Sequence, residues 1–179
     1  KILKNKFANL LASEYIEGDH KSGDKVDILK PRPLSVTHQN IQSTSYDNQS
    51  LDLIIHADVW EHIPSIEKAL QEAHRILKSN GLIIFTMPLY DHCEKSKIRA
   101  VIKNDGTLEH IHSPDYHGNP LSKEGALVFT EPGFDFFRTA SEYSFSTQVS
   151  LGFDPFKGYF PDCAPNNRSH CWNLVFILK

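Results

Sequence analysis

No apolar run in this chain approaches the roughly 20 residues of a membrane-spanning helix. Its opening residues lack the pattern of a signal peptide. Cysteine is scarce. Cys93, Cys163 and Cys171 make no even set, which argues against a disulfide scaffold and makes a reducing cytoplasm the expected compartment. There is no excess of positive charge. Lys and Arg number 19 against 22 Asp and Glu, for a net charge of -3. Neither nucleic acid nor an anionic membrane is therefore an expected partner. Glycine is sparse, with nine residues and no cluster. Internal repeats and low-complexity tracts are also missing. What remains is the composition of an ordinary globular domain. At 179 residues and 40% hydrophobic, the chain reads as one domain with a sizeable core.

The stretch Leu51–Pro88 is the most informative. Leu51, Leu53, Ile54 and Ile55 form a short apolar run suited to a parallel strand buried on both faces. The loop Ala57-Asp58-Val59-Trp60-Glu61-His62 follows. Pro64 is placed to open a helix. Ile66, Ala69, Leu70, Ala73, Ile76 and Leu77 recur at helical spacing on one face. Arg75 and Lys78 suit the last turn, and Asn80-Gly81 offers a left-handed stop. Leu82-Ile83-Ile84-Phe85 reads as a second buried strand. These pieces predict one βαβ crossover. Ligands in such sheets bind beyond the carboxyl ends of the strands, here Ala57–His62 and Met87–Asp91.

Asp58-Val59-Trp60-Glu61-His62-Ile63, Glu72-Ala73-His74-Arg75-Ile76-Leu77-Lys78 and the Asn80-Gly81 turn resemble the second half of a class I S-adenosylmethionine (SAM)-dependent methyltransferase. The resemblance extends to Ser13-Glu14-Tyr15-Ile16 as that family's second strand and Gln39-Asn40-Ile41 as the loop after its third. Ile98-Arg99-Ala100, Pro114–Pro120, Gly125–Phe129 and Gly133–Phe137 resemble one bacterial branch of it. It implies an α/β fold: a mostly parallel Rossmann-like sheet, helices on both faces and an antiparallel C-terminal hairpin. One element is missing. The family's first strand and Gly-rich turn have no counterpart here, and a central strand cannot be left out of one sheet without exposing unpaired edges. Residues 1–179 are therefore expected to be a single methyltransferase-like domain, incomplete at its N-terminal side, with Lys1–Leu11 as the end of a helix.

Elsewhere, Gly18–Pro33 reads as a polar loop and Leu34-Ser35-Val36-Thr37 as a short strand. Asp91–Leu121 is a long polar insertion containing a hairpin turn at Asn104-Asp105-Gly106. Loops of that length are often lids. Phe134–Tyr143 reads as a helix. Ser144–Gly152 and Trp172–Leu178 read as the last two strands, with Pro161–His170 between them.

The resemblance implies SAM as cofactor and assigns residues to it. Glu14, at a strand end, suits the ribose hydroxyls, as acidic residues do in dinucleotide folds. Asn40 and Ile41 suit the adenine, by hydrogen bond and by packing. His56, Ala57 and Asp58 would meet the methionine end. Asp58 could equally cap the next helical turn. For catalysis the candidates are His117 and His62. His117 reads as an acceptor contact or general base, or as a loop histidine holding a turn. His62 either faces the acceptor or fixes the loop. Arg99 and Tyr116 could line the same acceptor pocket. Glu72 and Arg75 are spaced as a helix-surface ion pair, and the aromatics Phe134, Phe136, Phe137 and Phe145 read as core.

Ten histidines raise the question of a metal, with His110, His112 and His117 close together and His92-Cys93 upstream. No Cys-x-x-Cys or His-Glu-x-x-His motif accompanies them, so no metal is expected. The expected activity is methyl transfer to a small-molecule or glycan-like acceptor. The alternatives are a non-catalytic binding domain of the same fold and, more distantly, a metal-dependent hydrolase.

Overall fold

The computed structural model describes residues 9–28, 33–90, 93–119, 121–122, 124–151, 156, 170–171 and 174–179. The apolar run after Ser50 forms strand β4 (Leu51–Ala57), which lies parallel to β5 (Leu77–Thr86) from Leu53↔Leu82 to Ala57↔Thr86. Between them runs helix α1 (Ile66–Ile76), whose Ala69, Leu70, Ala73 and Ile76 are buried. The crossover is thus the one the hydrophobic spacing predicts. Strand β15 (Leu174–Leu178) adds antiparallel to β5, and β13 (Thr147–Leu151) adds antiparallel to β15. The sheet order is β13-β15-β5-β4. The fold is α/β with an antiparallel terminal hairpin. In this sheet β4–β5 is the parallel pair, and both ladders made by β15 are antiparallel.

The two helices, α1 and α2 (Asp135–Glu142), pack on the same side of the sheet. They cover Ile83, Phe85, Phe176 and Leu178, all nearly or fully buried. Trp60 and Phe136 complete this core, with ring centroids 5.2 Å apart. The opposite side carries Ile55, which is 49% exposed. The expected helices on both faces are therefore seen on one face among the described residues. Of the aromatics assigned to the core, Phe136 and Phe145 are buried, while Phe134 is about half exposed.

A second, separate sheet has the order β1-β3-β2. Strand β1 (Ser13–Glu14) is parallel to β3 (Leu34–His38), and β2 (Lys25–Ile28) is antiparallel to it. The polar loop expected over Gly18–Pro33 thus contains a strand. Its Lys-Val-Asp-Ile alternation is a period-2 signal, with Val26 and Ile28 the less exposed pair. Among the described residues no ladder joins β1 to β4.

The segment after β5 is a set of short pairings. β6 (Leu89–Tyr90) pairs with β14 (His170–Cys171), and β7 (Lys97–Ile98) with β12 (Thr130–Glu131). β8 (Ala100–Ile102) and β9 (Leu108–His110) form the hairpin expected at Asn104-Asp105-Gly106, where Gly106 takes a φ of 84°. β10 (Tyr116–His117) pairs with β11 (Ala126–Leu127).

Three local expectations are corrected. The helix N-cap is Ser65, whose side chain accepts from the Lys68 N–H, so Pro64 precedes the cap. Asp58 is not a cap; the 3-10 turn Trp60–His62 starts from Val59 without a side-chain cap. Neither Asn80 nor Gly81 is left-handed. Gly81 is needed for closeness instead: a Cβ there would lie 2.9 Å from Leu77 Cδ2 and 3.0 Å from the Lys78 carbonyl oxygen. Helix Lys1–Leu11 and the loop Pro161–His170 fall almost entirely outside the described residues. No helix among the described residues is long and apolar enough to cross a membrane.

Candidate active site

A cleft of about 660 Å³ runs along the free edge of β4 and meets the end of β1. One wall carries Glu14, Tyr15, Asn40 and Ile41, and the other carries Ile54 to Asp58 and His62. The cleft therefore brings together all six residues assigned to the cofactor, with the catalytic candidate His62.

Glu14 closes β1 with an exposed side chain, one oxygen accepting the Tyr15 N–H at 2.9 Å. Asn40 Oδ1 accepts the Gln42 N–H at 3.0 Å, a local turn that fixes the side chain. Ile41 packs against the main core from its edge. His56 is different. Both ring nitrogens are shut off from solvent and have no hydrogen-bond partner. Its ring stacks on Phe85, with centroids 5.3 Å apart. Burial lowers its pKa to about 3, so it is a neutral ring packed as a hydrophobe.

Asp58 stands at the carboxyl end of β4 with a φ of 50°, a left-handed conformation uncommon outside Gly, Asn and Asp. Its N–H donates to the Thr86 carbonyl, and its carboxylate accepts from the Thr86 hydroxyl at 3.0 Å. Partial burial raises its pKa, against the opposing hydrogen bond. The strained turn aims the loop that follows towards the β10–β11 hairpin.

There the loop meets His117. The His62 and His117 ring centroids are 5.1 Å apart, and Glu61 lies between the two rings. The Phe129 N–H donates to the Glu61 carbonyl at 2.8 Å, tying the hairpin to the loop. His62 Nδ1 lies 2.9 Å from the Leu127 carbonyl oxygen. A carbonyl only accepts, so Nδ1 carries the hydrogen. His62 thus fixes the loop, and its other nitrogen lies 3.6 Å from Glu61 Oε1.

The remaining candidates sit elsewhere. Arg99 forms an ion pair with Glu131, and its backbone N–H donates to the Phe129 carbonyl. It holds the inserted segment in place and does not line the cleft. Tyr116 is about half exposed on the outer end of β10. His110 and His112 lie exposed around the β8–β9 hairpin, away from the Glu61 cluster. His92 is outside the described residues. The residue left without a role by the sequence is Glu61. Its position directly before His62 was a signal, but only the distant His117 gives it meaning.

A parallel strand-helix-strand unit with an acidic loop at the carboxyl end of its first strand belongs to the open α/β class of folds. A family profile described as a methyltransferase domain matches residues 3–85. The match covers a little under half of the chain, and over that stretch the chain is similar to methyltransferase domains. The matched region ends at the last residues of β5, so His117 and its hairpin lie beyond it. One curated relative is the sarcosine/dimethylglycine N-methyltransferase of Halorhodospira halochloris, 30% identical over 93 residues, or 51% of this chain and 33% of that protein. The chain thus matches about a third of that relative's length. Similar solved structures include a SAM-dependent methyltransferase from Mesorhizobium loti, at 14% identity and a TM-score of 0.49, covering 80% of this chain and 70% of that one. Another, from Clostridium acetobutylicum, has 14% identity and a TM-score of 0.44, covering 84% and 65%.

Proposed function

We propose that the protein transfers a methyl group from SAM to a small-molecule or glycan-like acceptor held at the carboxyl end of β4. The observation that carries this reading is the cleft itself, which gathers Glu14, Asn40, Ile41 and Asp58 on its walls and ends beside His62 and His117. The donor set fits the cofactor's nucleoside end. Glu14 has an exposed carboxylate for the ribose hydroxyls, and Ile41 offers an apolar face to the adenine. Asn40 Oδ1 already accepts from Gln42, so the Asn40 amide group would donate to a ring nitrogen. His56, Ala57 and Asp58 bound the methionine end.

When bound, SAM supplies a methyl group on a sulfonium centre. Such a donor needs little electrophilic help, so the protein's task is to hold and align the acceptor. The inserted segment places His117 over the loop, at 3.7 Å from Glu61. His117 and His62 hold the acceptor and receive the proton that an oxygen or nitrogen nucleophile gives up. Among the described residues lining the cleft there is no Lys or Arg.

The test is formation of S-adenosylhomocysteine from SAM by the full-length protein with hydroxyl- and amine-bearing acceptors. His117→Ala should lower turnover by about 10²–10⁴-fold, with SAM affinity nearly unchanged. No turnover with any acceptor, despite tight SAM binding, would favour the non-catalytic binding role. Loss of SAM affinity in His117→Ala would move that residue to the cofactor side.

A further inference from the structure

We infer that Glu61, His62 and His117 form a binding site for one divalent transition-metal ion at the acceptor end of the cleft. The Glu61 side chain is fully buried, and neither carboxylate oxygen has a hydrogen-bond partner. A buried carboxylate left unpaired is costly, so something must compensate it. The nearest groups are His62 Nε2, at 3.6 Å from Oε1, and His117 Nδ1, at 3.7 Å from the same oxygen. Charge-assisted hydrogen bonds run at about 2.7–2.9 Å. These gaps are therefore too long for a proton to bridge.

They are the right length for an ion. Zinc–nitrogen and zinc–carboxylate bonds measure about 2.0–2.2 Å, which puts two ligands of one tetrahedral ion about 3.4 Å apart. The three donor atoms all lie within 4.8 Å of one another. Small side-chain movements would bring them onto one centre. The orientation of His62 agrees. Its Nδ1–H donates to the Leu127 carbonyl, which leaves the Nε2 lone pair turned towards Glu61. Metal-binding histidines are commonly oriented by such a hydrogen bond from the second nitrogen.

The donors are held from two directions. Glu61 and His62 sit on the 3-10 turn after β4, and His117 sits on β10, fixed by its ladder to β11. His62 and His117 each keep a little exposure, with side chains 17% and 19% accessible. An ion here would therefore keep open positions towards the cleft. Two imidazoles and one carboxylate suit Zn²⁺, Mn²⁺, Fe²⁺ or Co²⁺ better than Mg²⁺, which prefers oxygen ligands. With the ion bound, His62 Nε2 and His117 Nδ1 are ligands and no longer proton acceptors, so the ion would instead hold the acceptor oxygen or nitrogen and lower its proton affinity. The ion site itself rests on the donor set alone.

The experiment strips the full-length protein with a chelator and titrates it with Zn²⁺, Mn²⁺ and Mg²⁺ separately. Bound metal is measured after dialysis, and S-adenosylhomocysteine affinity is measured on the same preparations. One Zn²⁺ or Mn²⁺ per chain is expected, held more tightly than Mg²⁺. His117→Ala and Glu61→Gln should each weaken it by roughly 100-fold or more, since loss of a ligand costs at least as much as loss of a supporting partner. His112→Ala, on the exposed hairpin, should leave it unchanged. His117→Ala tests the site without disturbing the buried core. Absence of retained metal in the unaltered protein, or equal loss in His112→Ala and His117→Ala, would overturn the inference. S-adenosylhomocysteine binding without metal binding also overturns it, while leaving the methyl-transfer reading in place. Metal binding without S-adenosylhomocysteine binding does the reverse.

Discussion

His56 shows how a residue's environment sets what it does. In sequence it reads as one of several polar residues at a strand end. In the structure its ring is a neutral filler between Phe85 and Trp60. Its pKa falls from 6.5 to about 3. Unfolding would let it take up a proton, so its contribution to stability is present above about pH 6.5 and declines as pH falls towards 3. The slope from one such proton is at most about 1.4 kcal/mol per pH unit. His56→Phe should therefore flatten the acid side of the stability profile between those pH values, measured by denaturant unfolding. An unchanged slope would mean the ring is not held neutral. Gly81 gives a second residue-scale prediction. A methyl group there meets backbone at 3.0 Å and 3.2 Å, from Lys78 and Leu51. Gly81→Ala should cost about 1–3 kcal/mol, the range for overpacking, read from the midpoint of urea unfolding.

At the scale of elements, what could be read in the sequence was what periodicity encodes. The crossover β4–α1–β5, the β8–β9 hairpin, α2 and the terminal antiparallel pair all rest on local patterns of period 3.6 or 2, or on turn chemistry. What could not be read depends on partners far along the chain. The end of α1 is an example: the chain leaves the helix at Leu77 in extended conformation and enters β5 directly, because Gly81 lets Leu77 and the Leu51 backbone approach. The meeting of His117 with Glu61 is another, set by the β10–β11 ladder and the Phe129–Glu61 hydrogen bond. The spacing of Glu72 and Arg75 did foretell their pairing, but not its use. Glu72 also accepts from the Thr44 N–H at 2.7 Å and the Thr44 hydroxyl at 2.6 Å, while Arg75 reaches Asn48 and the Tyr46 carbonyl. Together they clamp the loop before β4 onto α1. The hydrogen bond from Arg75 is the main cause that lowers the Glu72 pKa to about 2. Its contribution is full above about pH 4.5 and is lost as pH falls towards 2. Glu72→Gln should destabilise by about 1.5–3 kcal/mol at pH 7. That difference should shrink between pH 4.5 and 2, in paired unfolding curves.

At the scale of the molecule, the end of one sheet and the edge of the other border a cleft. The free edge of β4 and the end of β1 bound it, and the inserted hairpins reach over its far end. Residues from the matched region line the cleft, and the segment beyond β5 brings His117 to the loop after β4. The central claim is that this cleft receives SAM with Glu14 at the ribose. Calorimetric titration of S-adenosylhomocysteine into the full-length protein and into its Glu14→Ala variant tests it most directly. Binding at one site per chain is expected, with the variant weaker by roughly 1.5–3 kcal/mol, the range for hydrogen bonds to a charged group. Absence of binding, or equal affinity in the two proteins, would contradict it.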